Sequence, residues 1–76
     1  MNRAAFQITP EIEITIERNH LMNNPGWLFT CWWTRGDHIW HYTSTVCRDE
    51  ATLTKRALNF GQRVAAGKVD IYQFSY

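Results

Sequence analysis

The residues Gly26 to Tyr42, GWLFTCWWTRGDHIWHY, crowd four tryptophans, a phenylalanine and a tyrosine around one turn. Rings this dense in a short chain require an element with two distinct sides. Arg35-Gly36-Asp37-His38 suits a two-residue hairpin loop in which glycine takes positive φ. It predicts strands over Trp27 to Thr34 and Ile39 to Cys47. That centre fixes a register in which Arg35 faces His38, Trp33 faces Trp40, Cys31 faces Tyr42, Phe29 faces Ser44 and Trp27 faces Val46. These pairs share one face, and they are overwhelmingly apolar. The other face carries Leu28, Thr30, Trp32 and Thr34 opposite Thr45, Thr43, His41 and Ile39. Trp27, Trp33 and Trp40 are therefore expected in the core, and Trp32 is expected to project outward beside His41.

Upstream, Phe6, Ile8, Ile12, Ile14 and Ile16 fall on even positions, while Gln7, Thr9, Glu11, Glu13, Thr15 and Glu17 fall on odd ones. Period two predicts one half-buried strand. Pro10 cannot donate to a ladder, which places that strand at a sheet edge or bulges it. Asn19 to Gly26 reads as a loop.

Downstream, Asp49 suits an N-cap, Glu50 the positive end of a helix dipole and Gly67 the left-handed position that ends a helix. Within it Leu53, Ala57, Phe60 and Val64 form an apolar stripe, with Gly61 beside it permitting close approach. Lys55, Arg56 and Arg63 give the outer side a basic character. The tail Val69 to Tyr76 is rich in strand formers and is a candidate short fourth strand, or an aromatic strap across the core. The expected fold is a single compact α+β domain spanning 1–76. It has a three-stranded antiparallel meander with one C-terminal helix packed on one face (βββα, or βββαβ if the tail pairs).

With 76 residues, folding buries only about 60% of the surface the unfolded chain exposes, so large apolar residues are needed for stability. A hydrophobic content of 45% with 20% charged residues is that of a globular domain, not a disordered segment. The net charge of +1 supplies no overall field for nucleic acid or anionic membranes, so either would need a local patch. There is no run of about 18 apolar residues. The start MNRAAFQITP lacks the apolar middle of a signal peptide, and a cytoplasmic protein is expected.

Groups that could carry chemistry are poorly placed. Cys31 lies on the core face and His41 on the other, which disfavours a Cys-His nucleophile pair. Cys47 falls on the open face, so no disulfide to Cys31 is expected. His38 and His41 form an HxxH pair that a strand sends to opposite faces, and only a site from His41, Glu13 and Cys47 is conceivable for a metal. Arg35-Gly36-Asp37 spells an integrin-recognition tripeptide, but the hairpin itself favours glycine and aspartate there. Asp49, Glu50 and Asp70 read as cap and surface charges. No catalytic residue, metal or cofactor is expected.

A three-stranded sheet followed by a helix resembles small DNA-binding domains in architecture alone, since the sheet face carries glutamates where arginines would be needed. RNA-recognition modules stack bases on sheet aromatics, and only Trp32 is available here. The expectation is a small non-enzymatic module that binds a protein partner through its acidic sheet face, using Glu11, Glu13, Glu17, Trp32, His41 and Thr43. In type it resembles the inhibitors and accessory proteins of bacteriophages and mobile elements that antagonise host defence, anti-CRISPR proteins among them. Its partner would be a host nucleic-acid-handling complex. The alternative is direct nucleic-acid binding through Lys55, Arg56 and Arg63. A third class is a homodimer built by edge-strand pairing, so the chain is expected as a monomer or homodimer.

Overall fold

The computed structural model describes residues 3–19 and 25–69. In chain order these form β1 (Arg3–Thr9), β2 (Ile12–Asn19), β3 (Gly26–Arg35), β4 (His38–Thr43) and α1 (Glu50–Ala65). The strands make one antiparallel sheet in the order β1-β2-β3-β4, with α1 on one face, and the fold is α+β.

The single strand expected from Phe6 to Glu17 is two strands. The chain reverses at Pro10 and Glu11, where proline's missing N–H removes nothing a turn needs. Phe6 pairs with Ile14 and Ala4 with Ile16, and a register shift between Gln7 and Thr9 absorbs one extra residue. The Gln7 side-chain amide closes the irregularity, donating to the carbonyls of Thr9 at 2.6 Å and Ile12 at 3.0 Å. The fourth strand thus lies before the aromatic hairpin. The expected tail strand falls mainly on Asp70 to Tyr76, outside the described residues.

The aromatic hairpin keeps its expected register from Arg35 opposite His38 to Thr30 opposite Thr43. Gly36 has φ 64° and no other loop residue has positive φ, so the turn is type II′. Beyond Thr43 the ladder changes. Ser44 donates its N–H to Phe29 at 2.9 Å, but the Phe29 N–H goes to the Ser44 hydroxyl at 3.0 Å. Trp27 then exchanges two backbone bonds of 2.7 Å with Cys47, not with Val46. The slip of one residue turns Cys47 from the open face toward the core, against which it packs. Gly26, at φ 146°, permits this close crossing, because a Cβ there would stand 2.7 Å from the Cys47 carbonyl oxygen.

The buried core joins Ile12, Ile14 and Ile16 of β2, Phe29, Cys31 and Trp33 of β3, and Leu53, Ala57 and Val64 of α1. Trp33 is fully buried as expected, whereas Trp27 and Trp40 are only half-buried. Gly61, not Phe60, completes the buried stripe of α1. An added Cβ at Gly61 would meet Ile14 Cδ1 at 2.6 Å and Ile8 Cγ1 at 2.9 Å, so the missing side chain lets helix and sheet approach. Phe60 sits on the flank, its ring stacked on Tyr42 at 4.8 Å. Thr15 and Thr30, expected to be solvated, are buried. Both are short side chains at the middle of the sheet, with longer residues two positions away on each strand.

Both helix ends follow the sequence reading. Asp49 accepts from the Thr52 N–H and hydroxyl, and the C-terminus closes with Lys68 N–H to Arg63 and Gly67 N–H to Val64 around Gly67 at φ 71°.

Gly61→Leu should force the helix off the sheet and cost about 1–3 kcal/mol, the usual penalty of overpacking, read as a lower urea midpoint. The Thr52 hydroxyl, with lesser help from backbone N–H groups and Lys55, holds the Asp49 carboxyl below its ordinary range. A depressed carboxylate stabilises the fold at neutral pH, and that contribution is lost as pH falls through its lowered pKa. Asp49→Ala should therefore lower the Tm at pH 7, with the gap to the parent narrowing in thermal melts at progressively more acidic pH.

Candidate functional site

On the sheet face away from α1, Gln7 faces Glu13, Glu13 faces Trp32 and Trp32 faces His41. One row of side chains thus crosses all four strands. Period-two alternation puts them there: even positions of β2 and odd positions of β3 supply the core, which leaves Glu13 and Trp32 outside. The Trp32 and His41 rings lie 4.6 Å apart and are tilted by 42°. Trp32 keeps 41% of its surface exposed, and Ile39, two residues before His41 on the same face, keeps 64%.

These two apolar side chains border a groove of about 290 Å³ whose lining also includes Gln7, Glu11, Glu13 and Thr34. Glu11 reaches it from the β1–β2 turn, where its carboxylate accepts from the Thr9 hydroxyl at 3.2 Å and its N–H donates to the same oxygen. The backbone ties that turn to β3, with Thr34 N–H donating to Glu11 at 3.0 Å. Two exposed carboxylates beside an indole face and an isoleucine can hold a cationic side chain, through charge and through the ring's negative face.

The structure brings Glu11, Glu13, Trp32 and His41 together but not the whole expected set. Glu17 lies four residues along β2 from Glu13, roughly 13 Å away, and faces Arg3 and Leu28. Thr43 is exposed, and its hydroxyl is 3.1 Å from that of buried Thr30, a bond across β3 and β4. Ile39 was not singled out from sequence. The signal was present: the hairpin register sets it opposite Thr34 and diagonal to Trp32 on the outward face.

The basic residues of α1 also divide. Arg56 and Arg63 are two turns apart and line a second groove, between α1 and β4, with Asn59 between them. Lys55 does not line it, and its charge acts instead on Asp49 at the helix start.

Reactive groups do not converge. Cys31 is fully buried, and burial pushes its thiol up to about 12, far from a thiolate at neutral pH. Cys47, turned to the core side, donates to the Asp49 carbonyl at 3.5 Å, which dismantles the conceived site of His41, Glu13 and Cys47. His38 packs on Trp40 and His41 on Trp32, so the two histidines occupy opposite faces. Among the described residues no three His, Cys, Asp or Glu side chains could together hold a metal ion. No described helix is long and apolar enough to cross a membrane. Gly36 and Asp37 are the exposed II′ turn of the hairpin.

Both cysteines are free thiols, one buried and one half-buried. Alkylation of the native protein followed by mass spectrometry should therefore modify Cys47 first, with Cys31 reacting only at the rate of unfolding. Equal rates under native conditions would contradict the burial of Cys31. The chain matches no protein-family model, no curated protein and no solved structure, so the two grooves are read from their own residues.

Proposed function

We propose that the chain is a small non-enzymatic protein-binding module that docks through Trp32, Ile39 and the acidic rim of Glu11 and Glu13. The observation that carries this reading is the side-by-side exposure of Trp32 and Ile39 on the face that alternation assigns to polar residues. A domain with so small a core gains nothing in stability by displaying them. Tryptophan is strongly enriched at the energetic centres of interfaces, because its rigid ring gives large contact area at little entropic cost.

The rim sets the sign of the partner. Carboxylates around an apolar centre favour a basic surface and speed encounter with it. A host nucleic-acid-handling complex, whose phosphate-binding channel is positively charged, is such a surface in the cytoplasm. An inhibitor deployed by a bacteriophage or mobile element would occupy the channel with carboxylates where phosphates sit.

The test is a pull-down from nuclease-treated bacterial lysate, followed by titration of the recovered partner against variants shown by circular dichroism to be folded. Trp32→Ala should weaken binding by about 2 kcal/mol, roughly thirtyfold. Glu11→Lys combined with Glu13→Lys should lower the association rate and its salt dependence. Glu17→Lys, outside the groove, should bind as the parent does. Variants of Trp32 and of the two glutamates that bind as well as the parent would sink the sheet-face reading.

A further inference from the structure

The groove between β4 and α1 is a second surface, on the opposite side of the sheet from Trp32. Because α1 packs over β1, β2 and β3, the helix-side residues of β4 are incompletely covered, and a groove of about 250 Å³ remains. Its apolar wall is the Tyr42–Phe60 stack, with ring centroids 4.8 Å apart and planes 20° from parallel. Phe29, 5.8 Å from the Phe60 ring, backs that wall from within the core.

The rim has one sign. Arg56 and Arg63, both exposed, project from the same flank of α1, with backbones about 10 Å apart for a seven-residue separation. Asn59 lies between them, and Ser44 and Thr45 bring hydroxyls from the β4 side. No Asp or Glu is among the described residues lining the groove.

The ligand must use all of these features. Guanidinium groups match phosphate with paired N–H donors, and aromatic side chains at a groove wall accept a flat base by stacking. Inorganic phosphate would leave the aromatic wall unused, and an apolar peptide would leave two charges unmatched. The volume lies just below the range of about 300–1,000 Å³ typical of small-molecule sites, enough for one base and its phosphate in an open groove.

We infer that the groove between β4 and α1 binds a nucleoside phosphate, with Arg56 and Arg63 on the phosphate and the base against Tyr42 and Phe60. Lys55 takes no part. The unit is either a free nucleotide or one residue of a single strand, and the two sources share this chemistry.

Titrating the full chain with AMP, adenosine, inorganic phosphate and single-stranded eight-nucleotide DNA and RNA, followed by calorimetry and amide chemical shifts, tests the assignment. AMP or an oligonucleotide should bind, with shifts centred on Tyr42, Arg56 and Arg63. Adenosine and phosphate should each be at least tenfold weaker than AMP or the oligonucleotide. Arg56→Gln with Arg63→Gln, both on the exposed helix flank, should weaken binding at least tenfold, whereas Lys55→Gln and Trp32→Ala should not.

An oligonucleotide that binds far better than AMP identifies a strand as the source. It should then show a shallow log–log salt slope of about −0.7, the value for one neutralised phosphate on a single strand. Comparable affinities identify the free nucleotide. The inference is overturned if neither binds at millimolar concentration, if phosphate alone does as well as AMP, or if the double variant binds as the parent. Because Trp32→Ala serves as a control here, the outcome is independent of the sheet-face docking.

Discussion

The seat of α1 on the sheet at Gly61 organises the rest of the molecule. With no side chain there, the helix drops against Ile14 and Ile8, and Leu53, Ala57 and Val64 close over Ile12, Ile16, Cys31 and Trp33. A helix is about 10–12 Å across, and strands lie about 4.8 Å apart, so one helix covers two or three strands and not four. Settling toward β1 leaves β4 half-covered, which is why Trp40 and Tyr42 are only partly buried and why a groove exists beside them. The same one-sided core defines the other face as solvent-facing, so an apolar residue there stands out.

Energetics explain why only one tryptophan is displayed. At 76 residues the net stability is roughly 4–11 kcal/mol, and a buried large aromatic contributes about 3–5 kcal/mol of that. Trp33 is buried opposite Trp40 near the turn end of the hairpin, while Trp27 packs against the core from its open end. Trp32, one residue from Trp33, is turned to solvent by the pleat alone. Its contribution to stability is correspondingly small, which leaves it available for a partner.

Much of this was legible where two independent signals agreed. The II′ turn and the alternation of aromatics both specified the β3–β4 register, and with it the outward Trp32 and inward Cys31. The β1–β2 reversal escaped because its pairing sets even residues opposite even ones, Phe6 on Ile14 and Ala4 on Ile16. Alternation therefore runs through the turn as if the strand continued, and Pro10 alone marked the break. The slip at Ser44 to Val46 depends on a side-chain hydroxyl replacing a backbone acceptor, which no periodicity records. Phe60 and Gly61 are adjacent on the helix, and which of them faces the sheet centre depends on how far α1 leans toward β1. For the sites, Glu17 was grouped with Glu13 by parity, although parity gives the face and not the position along it. Lys55 was grouped with Arg56 by adjacency in sequence, which on a helix means about 100° of rotation.

The net charge of +1 conceals how the charges are arranged. Glu11 and Glu13 border the open sheet face, whereas Arg56 and Arg63 stand on the helix side, with the sheet and a helix layer of about 10 Å between them. At physiological salt the Debye length is about 8 Å, so neither face feels much of the other's charge at its own surface. A distant partner meets a nearly neutral particle, but at contact each face presents its own sign. The acidic face favours a basic protein surface, and the basic groove favours a phosphate. The two proposed sites share no residue, so docking at the acidic face and nucleotide binding in the basic groove would not compete for the same side chains.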